Sequence, residues 1–246
     1  GAGWGQFTIP LAKQNQICSL EPTPERLDFI KAASKQEGVD QNISYIGADY
    51  LDVKFENKFD LILSIGVMEW VGAFKTDKPP EEVQKEYLSK IKTELKEYGR
   101  LVIGIENRLG LKYLLGARDD HHGYQDVMIY GTKFAQDFFG ENYIDEKKCL
   151  VHSISDYKEI LKATGFQKIN FFVSIPDYKI IDKIYPIIKD RCSYNDFLLG
   201  GNWIIEHDGI DGSKLPNQEK LKHLYKSLAQ MNVAHLFAPS FFIEAS

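Results

Sequence analysis

The sequence predicts an α/β fold in which helices cover both faces of a doubly wound, mostly parallel sheet. Through the first half of the chain, short apolar runs alternate with segments of helical periodicity, which is the pattern of strands joined by crossover helices. The chain opens on a glycine-rich turn, GAGWG, directly before a helix-like segment. Acidic residues end the next two strand-like runs, at the sheet edge where open α/β folds bind their ligands.

The composition is that of an ordinary globular domain. Of the 246 residues, 43% are hydrophobic and 26% are charged, with a formal net charge of −5. Mild acidity argues against a general nucleic-acid binder, which needs concentrated Lys and Arg. No apolar run reaches the roughly 18 residues of a membrane span. The three cysteines are scattered without a CxxC pair, so we expect neither a zinc site nor a disulfide framework, and a reducing cytoplasm is the expected compartment.

Strands and helices alternate in order through the first half. The strand-like runs are QICSLE, ISYIGADY, FDLILSIG and RLVIGIE. FDLILSIG is nearly continuous in apolar residues, as a strand buried on both faces should be. One helix is predicted to begin at Pro24 with Thr23 as its N-cap, and another to run from Pro80 to a stop at Gly99.

The second half is less regular. Residues 107–152 show no clear periodicity, a helix is predicted between Ser155 and Gly165, and KINFFVSIP and NWIIEH are expected to form a terminal antiparallel strand pair. A last helix is predicted around residues 217–235. We therefore expect one domain over residues 1–207, with 108–152 as an insertion capping the substrate, and a helical segment over 208–246 that leads to a further domain.

The opening turn has the properties of a ligand cradle. Gly1, Gly3 and Gly5 let the chain bend sharply and expose bare peptide groups, and the following helix start favours a carboxylate or phosphate. Glu21 ends the next strand, where a carboxylate can accept both hydroxyls of a ribose. Asp49 ends the strand after that and is placed to accept from the exocyclic amine of an adenine.

In these segments the chain resembles the class I S-adenosylmethionine-dependent methyltransferases. GAGWG resembles their first motif, SLEP their ribose acid, GADYLDV their adenine-edge segment, FDLILSIGVMEWV their fourth strand with its loop, and GRLVIGIEN their fifth strand. The resemblance covers residues 1–107 and implies a Rossmann-like sheet of the seven-stranded type. The family's first strand, which precedes the glycines, is absent, so we expect the parent protein to continue on both sides of this chain.

The resemblance implies S-adenosyl-L-methionine as cofactor and assigns residues to its parts. The methionyl pocket would be shaped by the opening turn, the ribose held after the first strand, the adenine after the second, and the sulfonium bordered by the loop after the third. The implied residues are Gly1, Ala2, Gly3, Trp4 and Gly5; Glu21 and Pro22; Asp49, Tyr50 and Leu51; and Ser64, Ile65 and Gly66.

A hydroxyl acceptor needs a general base, and histidine is the usual candidate. His121 and His122 lie in DDHHG, within the irregular insertion, and His122 is slightly preferred for its neighbour Gly123. The same segment is also consistent with a polar surface loop. A metal cluster is a third interpretation, but adjacent residues rarely share one ion and no metal is expected. Glu69 either faces the acceptor or caps a turn. Glu106 and Asn107, at the end of the fifth strand of the family pattern, likewise either face the acceptor or cap a turn.

A narrower resemblance suggests a biological setting. IENRLGLKYLLGARDDHHG, SISDYKEILKATGF and SIPDYK resemble methyltransferase domains of bacterial cell-surface polysaccharide proteins, which are often fused to glycosyltransferases. The predicted function is methyl transfer to a small polar acceptor, such as a sugar or glycan hydroxyl. One alternative is an NAD(P)-dependent oxidoreductase. The sequence argues against it, because Gln6 occupies the position at which the dinucleotide-binding fingerprint GxGxxG has its third glycine. The other alternative is a non-catalytic domain of the same fold.

Overall fold

The structure is a computed structural model that describes residues 1–74, 77–119, 121, 123–125, 127–130, 149–189 and 218–246. It divides into two compact units, Gly1–Lys58 and Phe59–Ser246. The helices are α1 (Thr8–Ala12), α2 (Pro24–Gln36), α3 (Pro80–Glu94), α4 (Leu111–Leu114), α5 (Val127–Tyr130), α6 (Ile154–Ala163) and α7 (Gln218–Gln230). The strands are β1 (Ile17–Leu20), β2 (Ile43–Ile46), β3 (Phe59–Ile65), β4 (Leu95–Glu106), β5 (Ile169–Pro176), β6 (Ile181–Pro186) and β7 (Ser240–Ala245).

The first unit consists of a parallel strand pair with two helices. β1 and β2 pair in parallel from Ile17 opposite Ile43 to Leu20 opposite Ile46, and α2 provides the crossover that parallel strands require. Pro24 stands at the start of α2 with Thr23 as the N-cap residue, as predicted. A small core holds the unit together and consists of Ala12, Val39 and Ile43, with Ile9, Ile17 and Tyr45 packed against it.

The second unit is built on a five-stranded sheet in the order β3-β4-β7-β5-β6. The inner residues of β4, Leu101, Ile103 and Ile105, are completely buried, as are Phe241 and Ile243 of β7. Strands that are apolar on the covered face in this way form the centre of a sheet rather than its edge. Within the described residues, no helix has the length and apolar character needed to cross a membrane.

The predicted α/β class is confirmed, but the prediction of a mostly parallel sheet is wrong for the second unit. Among its described strands β3 and β4 pair in parallel, whereas β7 pairs antiparallel with both β4 and β5, and β5 pairs antiparallel with β6. The apolar pattern predicts that a segment is a buried strand, but it carries no information on strand direction. NWIIEH lies outside the described residues, and the antiparallel partners of KINFFVSIP are β6 and β7.

The predicted end of the third helix at Gly99 is wrong. The helix ends at Glu94, and Leu95, buried and extended, begins β4 opposite Phe59. Gly99 lies inside β4 where the register with β3 shifts, and a Cβ atom there would lie 2.7 Å from the Phe59 carbonyl oxygen. The glycine therefore marks a β-bulge at which two backbone segments approach closely. In a sequence, a glycine at a bulge cannot be distinguished from a glycine that ends a helix.

The C-terminal segment contributes to the main sheet, because β7 lies between β4 and β5. The expected domain boundary at residue 207 falls among residues that the structure does not describe. It stays a prediction, as does the capping role of residues 108–152.

A buried polar network joins α3 to two loops. The Gln84 side chain donates to the carbonyl oxygens of Met68 (2.9 Å) and Leu150 (3.0 Å) and accepts from His152 Nε2 (2.7 Å). The amide of Leu150 in turn donates to the carbonyl oxygen of Glu69 at 3.0 Å. The network therefore holds the turn after β3, and with it Glu69, against the segment that precedes α6.

We expect the His152 imidazole to make stability depend on pH. Burial lowers the pKa of His152 from 6.5 to about 4, so between these values the unfolded chain binds a proton that the folded chain does not. This contribution is complete above pH 6.5 and is lost as the pH falls toward 4. Between pH 7 and pH 5 it should decrease by about 2 kcal/mol.

Urea unfolding at the two pH values, with the wild type and His152→Gln compared, measures this effect. The wild type should lose more free energy of unfolding on acidification than the variant does. An equal loss in both proteins would show that the imidazole is not the group responsible.

Candidate active site

The opening turn is tied directly to Glu21. The Gly3 amide donates to Glu21 Oε2 at 2.8 Å, and the Ala2 amide donates to the Leu20 carbonyl oxygen at 2.9 Å. Gly5 has a φ of +85°, and a Cβ atom there would lie 3.1 Å from Ile30 Cγ1. Both the left-handed backbone and the contact with α2 therefore favour glycine at this position.

Glu21 and Asp49 follow the carboxyl ends of β1 and β2. β1 and β2 pair in parallel with Leu20 opposite Ile46, so both acids follow the same end of this strand pair. Glu21 is 1% exposed and its Oε1 accepts the Thr23 amide at 3.2 Å, with Arg26 Nη1 at 3.8 Å. The acid that the sequence assigns to the ribose thus binds the glycine turn directly, and the acid assigned to the adenine follows the neighbouring strand.

The other residues of this unit that the resemblance assigns to the cofactor lie in the glycine turn, after β1 and after β2. Trp4 is half exposed and packs edge-on against Phe29, with ring centroids 5.3 Å apart. Asp49 Oδ1 accepts the Leu51 amide at 2.9 Å and caps the short turn Tyr50–Asp52. Asp49 and Pro22 are exposed, while Tyr50 and Leu51 are partly buried.

The loop after β3 has two different faces. Ser64 is fully buried and its hydroxyl accepts from Tyr87 at 2.9 Å, so its side chain is occupied with packing against α3. Gly66, which follows Ile65, has a φ of +65°, and a Cβ atom there would lie 3.0 Å from Tyr178 Oη and 3.7 Å from Glu69 Oε1. The backbone at Gly66 therefore lies directly beside these two side chains.

Four ionisable side chains of the second unit form a buried group, the carboxylate–histidine cluster: Glu69, Glu106, Asp119 and His121. Glu69 lies in the turn after β3, Glu106 ends β4, and the other two follow α4. His121 Nδ1 lies 2.8 Å from Asp119 Oδ1, and Nε2 lies 4.0 Å from Glu69 Oε1. The imidazole also packs edge-on against Trp70 at 5.3 Å.

Two groups of the cluster have raised pKa values. Burial and the Glu106 carboxylate raise the pKa of Glu69 to about 7. Burial tends to lower the pKa of His121, but the hydrogen bond to Asp119 and the surrounding carboxylates outweigh it, so that this pKa is raised. A carboxyl group and an imidazole that both titrate away from their ordinary range are typical of catalytic sites.

Residues after β5 complete the surroundings of the cluster, and the sequence did not assign them a catalytic role. Tyr178 donates to Glu69 Oε1 at 3.2 Å, and Lys179 Nζ lies 2.7 Å from Glu106 Oε1. Burial raises the pKa of Asp177, which lies 3.7 Å from Lys112 Nζ. Three of these residues form the end of SIPDYK, so the aromatic and charged residues of that segment were the available signal.

The predicted catalytic residues have different outcomes. His121 and Glu69 lie together in the cluster, whereas His122 lies outside the described residues. Glu106 joins the cluster, but its neighbour Asn107 serves the fold: its side-chain amide donates to the carbonyl oxygens of Leu236 and Ala238, both at 2.9 Å. Asp119 was present in the DDHHG signal but was not singled out.

The arrangement is suited to removing a proton from a bound group. A carboxylate that holds one ring nitrogen orients the imidazole and leaves the other nitrogen to accept a proton. The nearby Glu69 carboxyl has a pKa close to neutrality and is a second group of this kind.

Residues 1–103 match the family model described as "Methyltransferase domain". No curated protein sequence matches the chain significantly. A SAM-dependent methyltransferase from Thermotoga maritima is 13% identical, with 100% of this chain and 78% of that chain covered and a TM-score of 0.48.

Two further solved structures are similar over shorter stretches. The CcbJ methyltransferase from Streptomyces caelestis is 14% identical over 45% of this chain and 42% of that chain, with a TM-score of 0.40. The N-methyltransferase NodS from Bradyrhizobium japonicum is 20% identical over 44% of this chain and 56% of that chain, with a TM-score of 0.37. The chain thus covers about half the length of these two proteins, and similarities this distant support no inference about the acceptor.

The family match covers the glycine turn, both acids of the first unit, β3 and the first part of β4 as far as residue 103. Residues 1–103 are therefore similar to a methyltransferase domain.

Proposed function

We propose that the whole chain transfers a methyl group from S-adenosylmethionine to a hydroxyl group of a small polar acceptor, a sugar or glycan intermediate of cell-surface polysaccharide assembly. The observation that carries this proposal is the position of Gly66. The loop that the resemblance assigns to the sulfonium lies beside Glu69 and Tyr178, and Glu69 belongs to the same cluster as His121. A methyl donor at this loop would therefore adjoin a group that can accept a proton.

The residues of the first unit are chemically suited to the cofactor. A carboxylate has about four lone-pair sites, so Glu21 can accept from ribose hydroxyls in addition to the Gly3 and Thr23 amides that it already binds. Asp49 is exposed at the adjacent strand end and can accept from an adenine amine. The glycine turn presents backbone without side chains, against which the methionyl part can lie.

His121 is the group that we propose takes the acceptor proton, with Glu69 as the second candidate. The cofactor supplies a methyl group on a positively charged sulfur, which is a good leaving group, so the protein has to position the acceptor and remove its proton. Asp119 Oδ1 lies 2.8 Å from His121 Nδ1 and orients the imidazole. Holding reactants in line contributes roughly 7–11 kcal/mol in favourable cases; a positioned base contributes about 10²–10⁴-fold in rate.

A sugar acceptor agrees with the aromatic residues beside the cluster. Trp70 and Phe74 stack with ring centroids 6.3 Å apart, and both are exposed, by 36% and 67%. Flat aromatic faces with a few polar groups nearby are typical linings of small-molecule sites. The resemblance to polysaccharide proteins adds the setting: a cytoplasmic enzyme, fused to or associated with a glycosyltransferase.

The test is to follow an isotopically labelled methyl group. The purified chain is incubated with labelled S-adenosylmethionine and a bacterial cell extract that contains polysaccharide intermediates, and mass spectrometry identifies what gains the label. We expect a labelled sugar oxygen. Label on an amine would overturn the hydroxyl acceptor, and cofactor binding without any labelled product would favour the non-catalytic alternative.

Calorimetry with S-adenosylmethionine and with NAD separates methyl transfer from redox chemistry. The chain should bind the first ligand and not the second. Binding of NAD alone would contradict the proposed activity.

A further inference from the structure

Three side chains from separate segments of the second unit bring potential metal donors together. One oxygen each of Glu69 and Glu106 and one ring nitrogen of His121 lie within 4.8 Å of one another. We propose that these three residues form a binding site for one divalent first-row transition-metal cation, with Mn²⁺ as its probe. The site does not depend on the proposed methyl transfer, since neither cofactor nor acceptor supplies any of the three donors.

Two buried carboxylate oxygens point to a ligand at this place. Glu69 Oε2 and Glu106 Oε2 are buried and accept no hydrogen bond from any described residue, and the two residues are 1% and 0% exposed. Burying a carboxylate oxygen without a donor is unfavourable, and buried charges are ordinarily paired or bound to metal. A cation between the two carboxylates and the imidazole would compensate both oxygens at once.

The other polar atom of each donor residue is held by a neighbour. Tyr178 donates to Glu69 Oε1 at 3.2 Å and Lys179 Nζ lies 2.7 Å from Glu106 Oε1. Asp119 Oδ1 lies 2.8 Å from His121 Nδ1. Metal-bound histidines and carboxylates are ordinarily oriented in this way by groups outside the coordination shell.

The donor set favours a transition metal over Mg²⁺ or Ca²⁺. Imidazole nitrogen suits first-row transition metals, and carboxylate oxygen suits Mn²⁺ among others. Three donors at about 2.0–2.2 Å from one ion are roughly 3.0–3.8 Å apart from one another. The three donors here all lie within 4.8 Å of one another, so binding would draw the side chains together by about 1–2 Å at most. Three protein donors leave coordination positions for water or for an acceptor oxygen.

Burial favours an ion over a larger occupant between these donors. The side chains of Glu69 and His121 are 2% and 4% exposed, and that of Glu106 is 0% exposed. A bound cation would coordinate His121, so the imidazole could not accept a proton in the metal-loaded protein. An acceptor hydroxyl bound to the cation would then have a lowered pKa and would lose its proton to water.

The experiment is a titration of the full chain with Mn²⁺ alone, in the absence of S-adenosylmethionine and acceptor, followed by electron paramagnetic resonance of the free ion and by calorimetry. We expect one Mn²⁺ per chain. Glu69→Gln and Glu106→Gln should each weaken binding by at least tenfold, while the matched control Glu81→Gln, an exposed position on α3, should bind as the wild type does.

Unchanged binding in both cluster variants, or no binding by the wild type, would overturn the site. Should the variants fail to fold, as judged by circular dichroism, the wild type decides the question. Bound Mn²⁺ must then broaden the nuclear magnetic resonance signals of the His121 ring, and sharp His121 signals at saturating Mn²⁺ would refute the assignment. Because no methyl donor is present, a negative result leaves the proposed methyl transfer unaffected.

Discussion

Replacing His121 with alanine is expected to lower the rate of methyl transfer by about 10²- to 10⁴-fold, the usual contribution of a positioned general base. The variant loses the imidazole that lies 2.8 Å from Asp119, whereas the turn and the acids that we propose bind the cofactor are unchanged. The affinity for S-adenosylmethionine should therefore stay within about twofold of the wild type, since none of the residues assigned to the cofactor is altered. The measurements are the rate of label transfer to the acceptor identified by mass spectrometry, and calorimetric titration with the cofactor.

The matched control is His223→Ala, which removes an exposed histidine of α7 and should transfer methyl groups at the wild-type rate. Asp119→Asn provides a second variant, because it keeps the size of the side chain but removes the charge that orients the ring. Its rate should fall between those of His121→Ala and the wild type. An undiminished rate in His121→Ala would remove this residue from the reaction and leave Glu69 as the candidate.

Weakening the cofactor acids is expected to reduce affinity for S-adenosylmethionine by about 10- to 150-fold, since a hydrogen bond to a charged group contributes about 1.5–3 kcal/mol. Glu21→Gln removes the charge at the base of the glycine turn while leaving one oxygen to accept the Gly3 amide. Asp49→Ala removes an exposed carboxylate whose described partner is the Leu51 amide. Calorimetric titration of each variant with the cofactor gives the change directly.

Glu25→Gln serves as the control for both variants, because this exposed acid on the first turn of α2 has the same charge but no assigned role. Its affinity for the cofactor should equal that of the wild type. If Glu21→Gln folds less well because the turn is disturbed, Asp49→Ala still tests the assignment, since Asp49 is at the surface. Wild-type affinity in Asp49→Ala would mean that the adenine lies elsewhere.

Most individual elements were predictable because their signals are local. Apolar runs such as QICSLE and FDLILSIG identify buried strands, and Thr23 with Pro24 identifies a helix start, since each depends on a few consecutive residues. Strand β6 was missed, because IDKIYP alternates exposed and half-buried residues and lacks the apolar run of a central strand. Gly99 was misinterpreted, because a glycine at a bulge and a glycine at a helix end look alike in a sequence.

The candidate site divides in the same way. The sequence by itself determined the methyltransferase signature, because the glycine turn comes first and Glu21 and Asp49 follow the next two strands, in an order and at spacings that can be read along the chain. Only the tertiary structure decided that Glu69, Glu106, Asp119 and His121 form one buried cluster, and that β7 inserts antiparallel between β4 and β5. These contacts join residues that are far apart along the chain, and they result from sheet pairing and side-chain packing, which no local pattern encodes.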